Sequence, residues 1–204
     1  DLSAGGGYTT ELIARAVGPE GRVYGQSRPV EPNRAAPAVP EGGAAPAATA
    51  PRPAGPPNSP SALAERAKNP AAGNIIAVVR RFEDPVPPEL ASNALDLVTL
   101  MFNYHDLGWI GVDRAQMNRA VFAALKPGGM YVIADHSGRP GTGISESGTL
   151  HRIEEAFLRK EVEAAGFRLA EEGQFLRNPG DPRDRNTPDP PQPKDEFVLK
   201  FVKP

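Results

Sequence analysis

Apolar positions recur along the chain in two rhythms. Thr9 to Val17 puts Leu12, Ile13, Ala16 and Val17 on one helical face, and Gly18-Pro19 ends the helix. Arg22 to Gln26 is a short strand candidate. Asn74 to Phe82 carries Ile75, Ile76, Val78 and Val79, a β-branched run suited to a buried strand. Leu95 to Phe102 is apolar nearly throughout, as a central parallel strand should be. Asp113 to Leu125 is the clearest helix, because Met117, Ala120, Val121, Ala124 and Leu125 follow one face. Lys126-Pro127-Gly128-Gly129 breaks it, and Met130 to Ala134 reads as another buried strand. Ile153 to Ala165 is a helix with Ile153, Phe157, Leu158, Val162 and Ala165 inward and Gly166 at its C-terminal cap. Phe167 to Phe175 and Glu196 to Val202 supply two last strands with no helix between them. This alternation predicts an α/β fold, Rossmann-like and doubly wound. Its sheet is mostly parallel and ends in an antiparallel C-terminal strand pair.

Composition changes this picture in one place. The 24 prolines and 21 glycines of the 204 residues are unevenly spread. Residues 29 to 73 are dominated by Pro, Ala and Gly, too poor in large apolar side chains to offset their ordering entropy, and are read as a mobile insertion in an otherwise single domain spanning 1–204. Asn178 to Lys194, rich in Pro and Asp, reads as a long surface loop. A formal net charge of −2 gives no electrostatic case for a nucleic-acid partner. No apolar run is long enough to span a membrane. With no cysteine, disulfides, thiolate nucleophiles and Cys-ligated metals are excluded, and either redox compartment is allowed.

The candidate chemistry begins at the first residue. Asp1-Leu2-Ser3-Ala4-Gly5-Gly6-Gly7-Tyr8 runs straight into a helix. Glycines there allow positive φ and close approach of a ligand, and free amides at the helix start favour negative charge. Alone, such a turn serves a nicotinamide or flavin cofactor as well as it serves no ligand at all. The three histidines are more informative. His105 follows the Leu95–Phe102 strand, His136 follows the Met130–Ala134 strand, and His151 lies in the loop before the next helix. All three reach the carboxyl ends of the strands, where open α/β sheets bind ligands. Asp106 and Asp135 adjoin the first two. His105, Asp106, Asp135 and His136 are therefore the catalytic candidates, as His/Asp acid–base pairs. The same set has the composition of a metal site, but the reading adopted assigns no metal. Plainer roles compete: a loop histidine that bonds backbone, or an aspartate that caps a helix. Tyr104 and Trp109 are either an aromatic wall or core, and Arg152 and Arg177 are either anion contacts or, as the plainer reading, solvated surface positions or salt bridges. Glu154-Glu155 and Glu171-Glu172 read as solvated faces.

The order of these segments resembles the class I S-adenosylmethionine-dependent methyltransferases. Their first motif, D-x-G-x-G-x-G, is matched by Asp1, Gly5 and Gly7, with Ser3 in place of the first glycine. Their later L-K-P-G-G segment is matched by Leu125-Lys126-Pro127-Gly128-Gly129. Leu100 to Asp106, Asp135-His136-Ser137, Thr149 to Ile153, Phe175 to Pro179 and Phe197 to Phe201 also resemble a bacterial family known as predicted methyltransferases. That family has no agreed substrate, and many of its members look exported. The resemblance implies S-adenosylmethionine as cofactor, with Asp1, Ser3, Gly5 and Gly7 around its methionine and ribose. It places Glu83 and Asp84, after the third strand, near the adenine, and Asn103 near the reactive end. Gln26 stands where the class has an acidic residue for the ribose hydroxyls, and holds them without charge assistance. The resemblance also implies a strand upstream of Asp1, which would carry any targeting signal with it. The compartment is thus left as cytoplasm by default, with the periplasm as the alternative.

The expected activity is methyl transfer to a small-molecule acceptor. Ser3 and Gln26 motivate an alternative, a cofactor-binding module without activity. A nicotinamide-dependent oxidoreductase is a third reading, but it requires G-x-G-x-x-G and an acidic residue after the second strand, and this chain has neither.

Overall fold

The structure is a computed structural model that describes residues 1–30, 59–188 and 190–204. In chain order its elements are α1 (Tyr8–Val17), β1 (Val23–Ser27), α2 (Ser59–Arg66), β2 (Ile75–Val79), β3 (Leu95–Met101), α3 (Tyr104–Trp109), α4 (Arg114–Ala124), β4 (Leu125–His136), α5 (Glu155–Glu163), β5 (Arg168–Gly173) and β6 (Glu196–Val202). Short 3-10 turns lie at Pro70–Ala72 and Pro88–Leu90.

β1 pairs with β2 and β3 with β4, both in parallel. β6 lies antiparallel between β4 and β5. This is the expected Rossmann-like α/β arrangement: parallel strands joined by helices, and a closing antiparallel pair joined by a loop. Residues 1–4 join the two sets of strands. The Leu2 amide donates to Thr99 O on β3 (2.8 Å), while the Gln26 amide on β1 donates to Asp1 O (2.8 Å) and the Ala4 amide to Gln26 O (2.8 Å). This stretch therefore fixes the glycine turn at the carboxyl ends of β1 and β3. A cavity of about 500 Å³ lined by Ile13, Val23, Val86 and Leu97 opens between the same two strands.

The main core gathers Leu100, Tyr104, Leu107, Met117, Val121, Tyr131, Ile133, Ile153, Leu158, Val162, Phe197, Leu199 and Phe201. β6 contributes alternate residues to it, Phe197, Leu199 and Phe201 being buried, as expected where one face of an antiparallel edge is packed. A second, smaller cluster joins Ala14, Val23, Leu63, Ala72 and Ile75.

Three features differ from the sequence reading. α2 and the Pro70–Ala72 turn occupy the last part of the stretch read as a mobile insertion, and Leu63 is fully buried there. Leu63, set against β1 and β2, docks this two-turn helix together with Arg66, which bonds to Gly6 O and Glu11. The greater part of that stretch, 31–58, lies outside the described residues. β4 begins at Leu125, not Met130, with a register irregularity opposite Leu95 and Leu97 that absorbs Lys126 to Gly129. α3 was not expected; Gly108 on it lets Ile144 of the loop after β4 approach so closely that an added Cβ would lie 2.4 Å from Ile144 Cδ1.

Candidate active site

The glycine turn has the open backbone its sequence promises. Gly5 and Gly7 have φ of 56° and 81°, a region that costs an L side chain energy and glycine little. Gly7 also has neighbours that exclude a side chain, since an added Cβ would lie 2.7 Å from Leu63 Cδ1. The amides of Ser3, Ala4 and Gly7 are bonded within the protein, to Gln26 Oε1, Gln26 O and Ala4 O. Those of Gly5 and Gly6 take no partner among the described residues. No side chain caps α1, so its first amides add to the same positive end. A ligand carrying hydroxyl or carboxylate oxygens fits this backbone.

The side chains assigned to the cofactor are mostly committed to holding the turn. The Asp1 carboxylate accepts from the hydroxyls of Thr10 (2.7 Å) and Thr99 (2.9 Å). Gln26 is buried; its Oε1 accepts from the Ser3 amide (3.0 Å) and its Nε2 donates to Arg80 O (2.7 Å). Gln26 thus also has a structural role, with one lone pair of Oε1 spent on the Ser3 amide. Glu83 and Asp84 lie in the turn after β2, where they pair locally with Arg81 and Arg80.

Ser3 leads from the glycine turn to the histidines. Its hydroxyl donates to Asn103 Oδ1, and Asn103 Nδ2 donates to Asp106 Oδ2 (2.9 Å). Three ring nitrogens converge on the other oxygen of Asp106: His105 Nε2 at 3.2 Å, His151 Nδ1 at 3.1 Å and Trp109 Nε1 at 3.3 Å. On its far side, His105 Nδ1 lies 2.6 Å from Asp135 Oδ1. Asp135 is wholly buried and also accepts from the backbone amides of His105 (2.8 Å) and His136 (2.7 Å). His136 stacks on Phe102, with ring centroids 5.4 Å apart. Its Nδ1 lies 2.9 Å from Glu196 Oε1 but is not aligned for a hydrogen bond.

All four catalytic candidates, His105, Asp106, Asp135 and His136, thus come together, and His151 joins them. Their electrostatics diverge. Burial pulls the His105 ring down, but hydrogen bonds to Asp106 and Asp135 outweigh it and hold its pKa at about 9. Burial tends to raise Asp106, but its bonds to His105 and His151 keep it below the usual carboxylate range. Burial, helped by the positive charge of Lys194, pushes His136 down to about 4. Neighbouring imidazoles are thus driven in opposite directions, a pattern associated with acid–base sites.

The other candidates separate. Tyr104 is core: it is fully buried, donates to Glu161 Oε2 (3.0 Å) and accepts from Asn118 Nδ2 (2.9 Å). Trp109 stays at the rim beside Asp106. Arg152 is fully buried and bonds to both oxygens of Asp181 and to Ser137 O. Arg177 pairs with Glu155 (2.6 Å). The two arginines thus fasten the 178–194 loop and α5 and do not face an anionic substrate. Backbone strain is what sequence reasoning missed: Ser3, Phe102 and His151 all have positive φ, at 53°, 55° and 51°. Strained non-glycine residues concentrate at functional sites.

No family model and no curated protein matches the chain. Solved structures do. A S-adenosylmethionine-dependent methyltransferase from Aquifex aeolicus aligns with all of this chain and 80% of its own, at 15% identity and a TM-score of 0.62. A Methanosarcina mazei enzyme described in the same terms aligns with all of this chain and 90% of its own, at 10% identity and a TM-score of 0.59. The cyclase SpnF aligns with all of this chain and 74% of its own, at 14% identity and a TM-score of 0.63. These likenesses establish a fold shared with the methyltransferases. SpnF shows that the fold is also found in a protein named for a different reaction, so the reaction must be argued from the site. Among the described residues, no helix is long and apolar enough to cross a membrane.

Proposed function

We propose that the protein transfers a methyl group from S-adenosylmethionine to a small acceptor. One observation carries the reading: the open glycine turn and the histidine cluster share one rim of the sheet and are joined through Ser3, Asn103 and Asp106. Gly5, Gly6 and the start of α1 hold the cofactor through backbone amides, with Glu83 and Asp84 on its adenine side and Asn103 towards its reactive end. When bound, the cofactor supplies an activated methyl group, so alignment and proton removal are what the chain must add. Asp106 and His151, both half-buried at the rim, face the acceptor and orient it, and His105, held between Asp106 and Asp135, backs them from the interior. A net charge of −2 favours a small acceptor over a nucleic acid. Structural neighbours described as S-adenosylmethionine-dependent methyltransferases support the cofactor.

Isothermal titration with S-adenosylmethionine and with its demethylated product tests this. The expected result is binding of both at one site, weakened at least tenfold in Gly7→Val. No binding by the wild type, or tighter binding of a nicotinamide cofactor, overturns the reading.

A further inference from the structure

We infer that His105, Asp106 and His151 form a binding site for one divalent transition-metal cation, of the zinc, cobalt or iron(II) kind. The sequence reading assigned no metal; the geometry argues for one. One ligand atom from each residue, His105 Nε2, Asp106 Oδ1 and His151 Nδ1, lies within 4.8 Å of the other two. The two edges that meet at the carboxylate are 3.2 and 3.1 Å. A metal with ligand bonds of about 2.0–2.2 Å and tetrahedral angles puts neighbouring ligands roughly 3.3–3.5 Å apart, close to these edges. The third edge closes by movement of His151, which is the more exposed histidine of the two. The His105 and His151 rings stand at 89° to each other, with centroids 5.6 Å apart, so they approach the carboxylate from different directions.

The surroundings hold these atoms as metal ligands need to be held. A neutral imidazole has one N–H. In His105 it belongs to Nδ1, which faces the buried Asp135 carboxylate at 2.6 Å. A cation entering between Nε2 and Asp106 Oδ1 displaces the proton that otherwise bridges them and takes the freed Nε2 lone pair. A carboxylate behind a metal-binding histidine is the usual way its tautomer and orientation are set. Asp106 is held in the same fashion, by Asn103 Nδ2 on its second oxygen (2.9 Å). Two histidines and one carboxylate suit a borderline transition metal better than magnesium or calcium. Three protein ligands also leave a coordination position open. An acceptor hydroxyl placed there loses its proton more readily. That use of the metal rests on the methyl-transfer reading; the site itself does not.

Trp109, the single tryptophan of the chain, has its Nε1 3.3 Å from the same oxygen of Asp106 and so reports on occupancy. The test is to strip the full chain with a chelator and titrate it with Co²⁺, reading visible absorption and Trp109 emission. The expected result is saturation at one equivalent, with emission quenched. His151→Gln and Asp106→Asn, both at half-buried positions, should weaken binding at least tenfold while melting cooperatively; His136→Gln should bind within threefold of wild type. No saturable change, or undiminished binding in both His151→Gln and Asp106→Asn, overturns the site. Co²⁺ binding without S-adenosylmethionine binding leaves the metal site standing and removes the methyl-transfer reading. The reverse pattern removes the metal site alone.

Discussion

Replacing Asp135 with Asn tests the support of the site without changing its shape. Asp135 is fully buried, and its two oxygens accept three hydrogen bonds: from the His105 amide, the His136 amide and His105 Nδ1. Asn has one acceptor oxygen, so its NH₂ must face at least one of these buried donors. An unsatisfied buried donor costs about 1–3 kcal/mol, and the bonds that remain lose charge assistance worth roughly another 1 kcal/mol. The expected destabilisation is about 2–4 kcal/mol. At roughly 2–4 °C per kcal/mol for a chain of this size, the Tm should fall by on the order of 10 °C. If the NH₂ turns towards His105 Nδ1, the ring gives up its Nδ1 proton and keeps the one on Nε2, donated to Asp106. Calorimetry reads the first effect and ¹⁵N NMR of the chelated protein's imidazoles reads the second. A variant that melts within 1 °C of wild type with the His105 tautomer unchanged would show that Asp135 does not orient the ring.

Other perturbations follow from the same contacts. Gly7→Ala combines a left-handed backbone with a Cβ 2.7 Å from Leu63 and 2.9 Å from Arg66. It should cost about 2–4 kcal/mol by chemical denaturation; a loss below 0.5 kcal/mol would refute the packing. Gln26→Glu, which restores the acidic residue of the class, should destabilise by about 1–3 kcal/mol, because it sets a carboxylate against Arg80 O where Nε2 now donates. Tighter ribose binding with no loss of stability would contradict this. Burial raises the pKa of Asp181, but hydrogen bonds from the amides of Asp195 and Arg183 and from Arg152 prevail and hold it below the usual range. A carboxyl that binds its proton less tightly when folded stabilises the protein fully near neutrality and loses that contribution as pH falls below about 4. The urea midpoint should therefore fall less steeply with acid in Asp181→Asn than in wild type, and parallel curves would count against the assignment.

What was legible in the sequence follows from what each residue needs locally. β3 and β4 are buried over Val98–Leu100 and Ile133–Asp135, and their near-continuous apolar runs announced them. The histidines could be placed at one rim because each follows a strand or precedes a helix. α3 escaped because six residues are too few to display a helical period. α2 escaped because its docking rests on one large apolar residue, Leu63, and on Arg66 bonds to Gly6 O and Glu11 that are distant in sequence, in proline-rich surroundings. The burial of Gln26 and Arg152 and the identity of their partners could not be read. Their partners, Ser3 and Arg80 for one and Asp181 for the other, are distant in sequence, and a polar residue gives no local sign of being buried. The same holds for Asn103 as the link between turn and cluster: its position was legible and its bonds were not.

The left-handed backbone at Ser3, Phe102 and His151 has a consequence for anyone who engineers this chain. Each holds an L residue where glycine is more comfortable, at about 1 kcal/mol apiece. Glycine at these three places is an obvious route to a more heat-resistant molecule, yet it would delete a hydroxyl, a phenyl ring and an imidazole from the rim of the sheet. Selection for thermal resistance alone would drive this protein towards a sturdier and emptier version of itself.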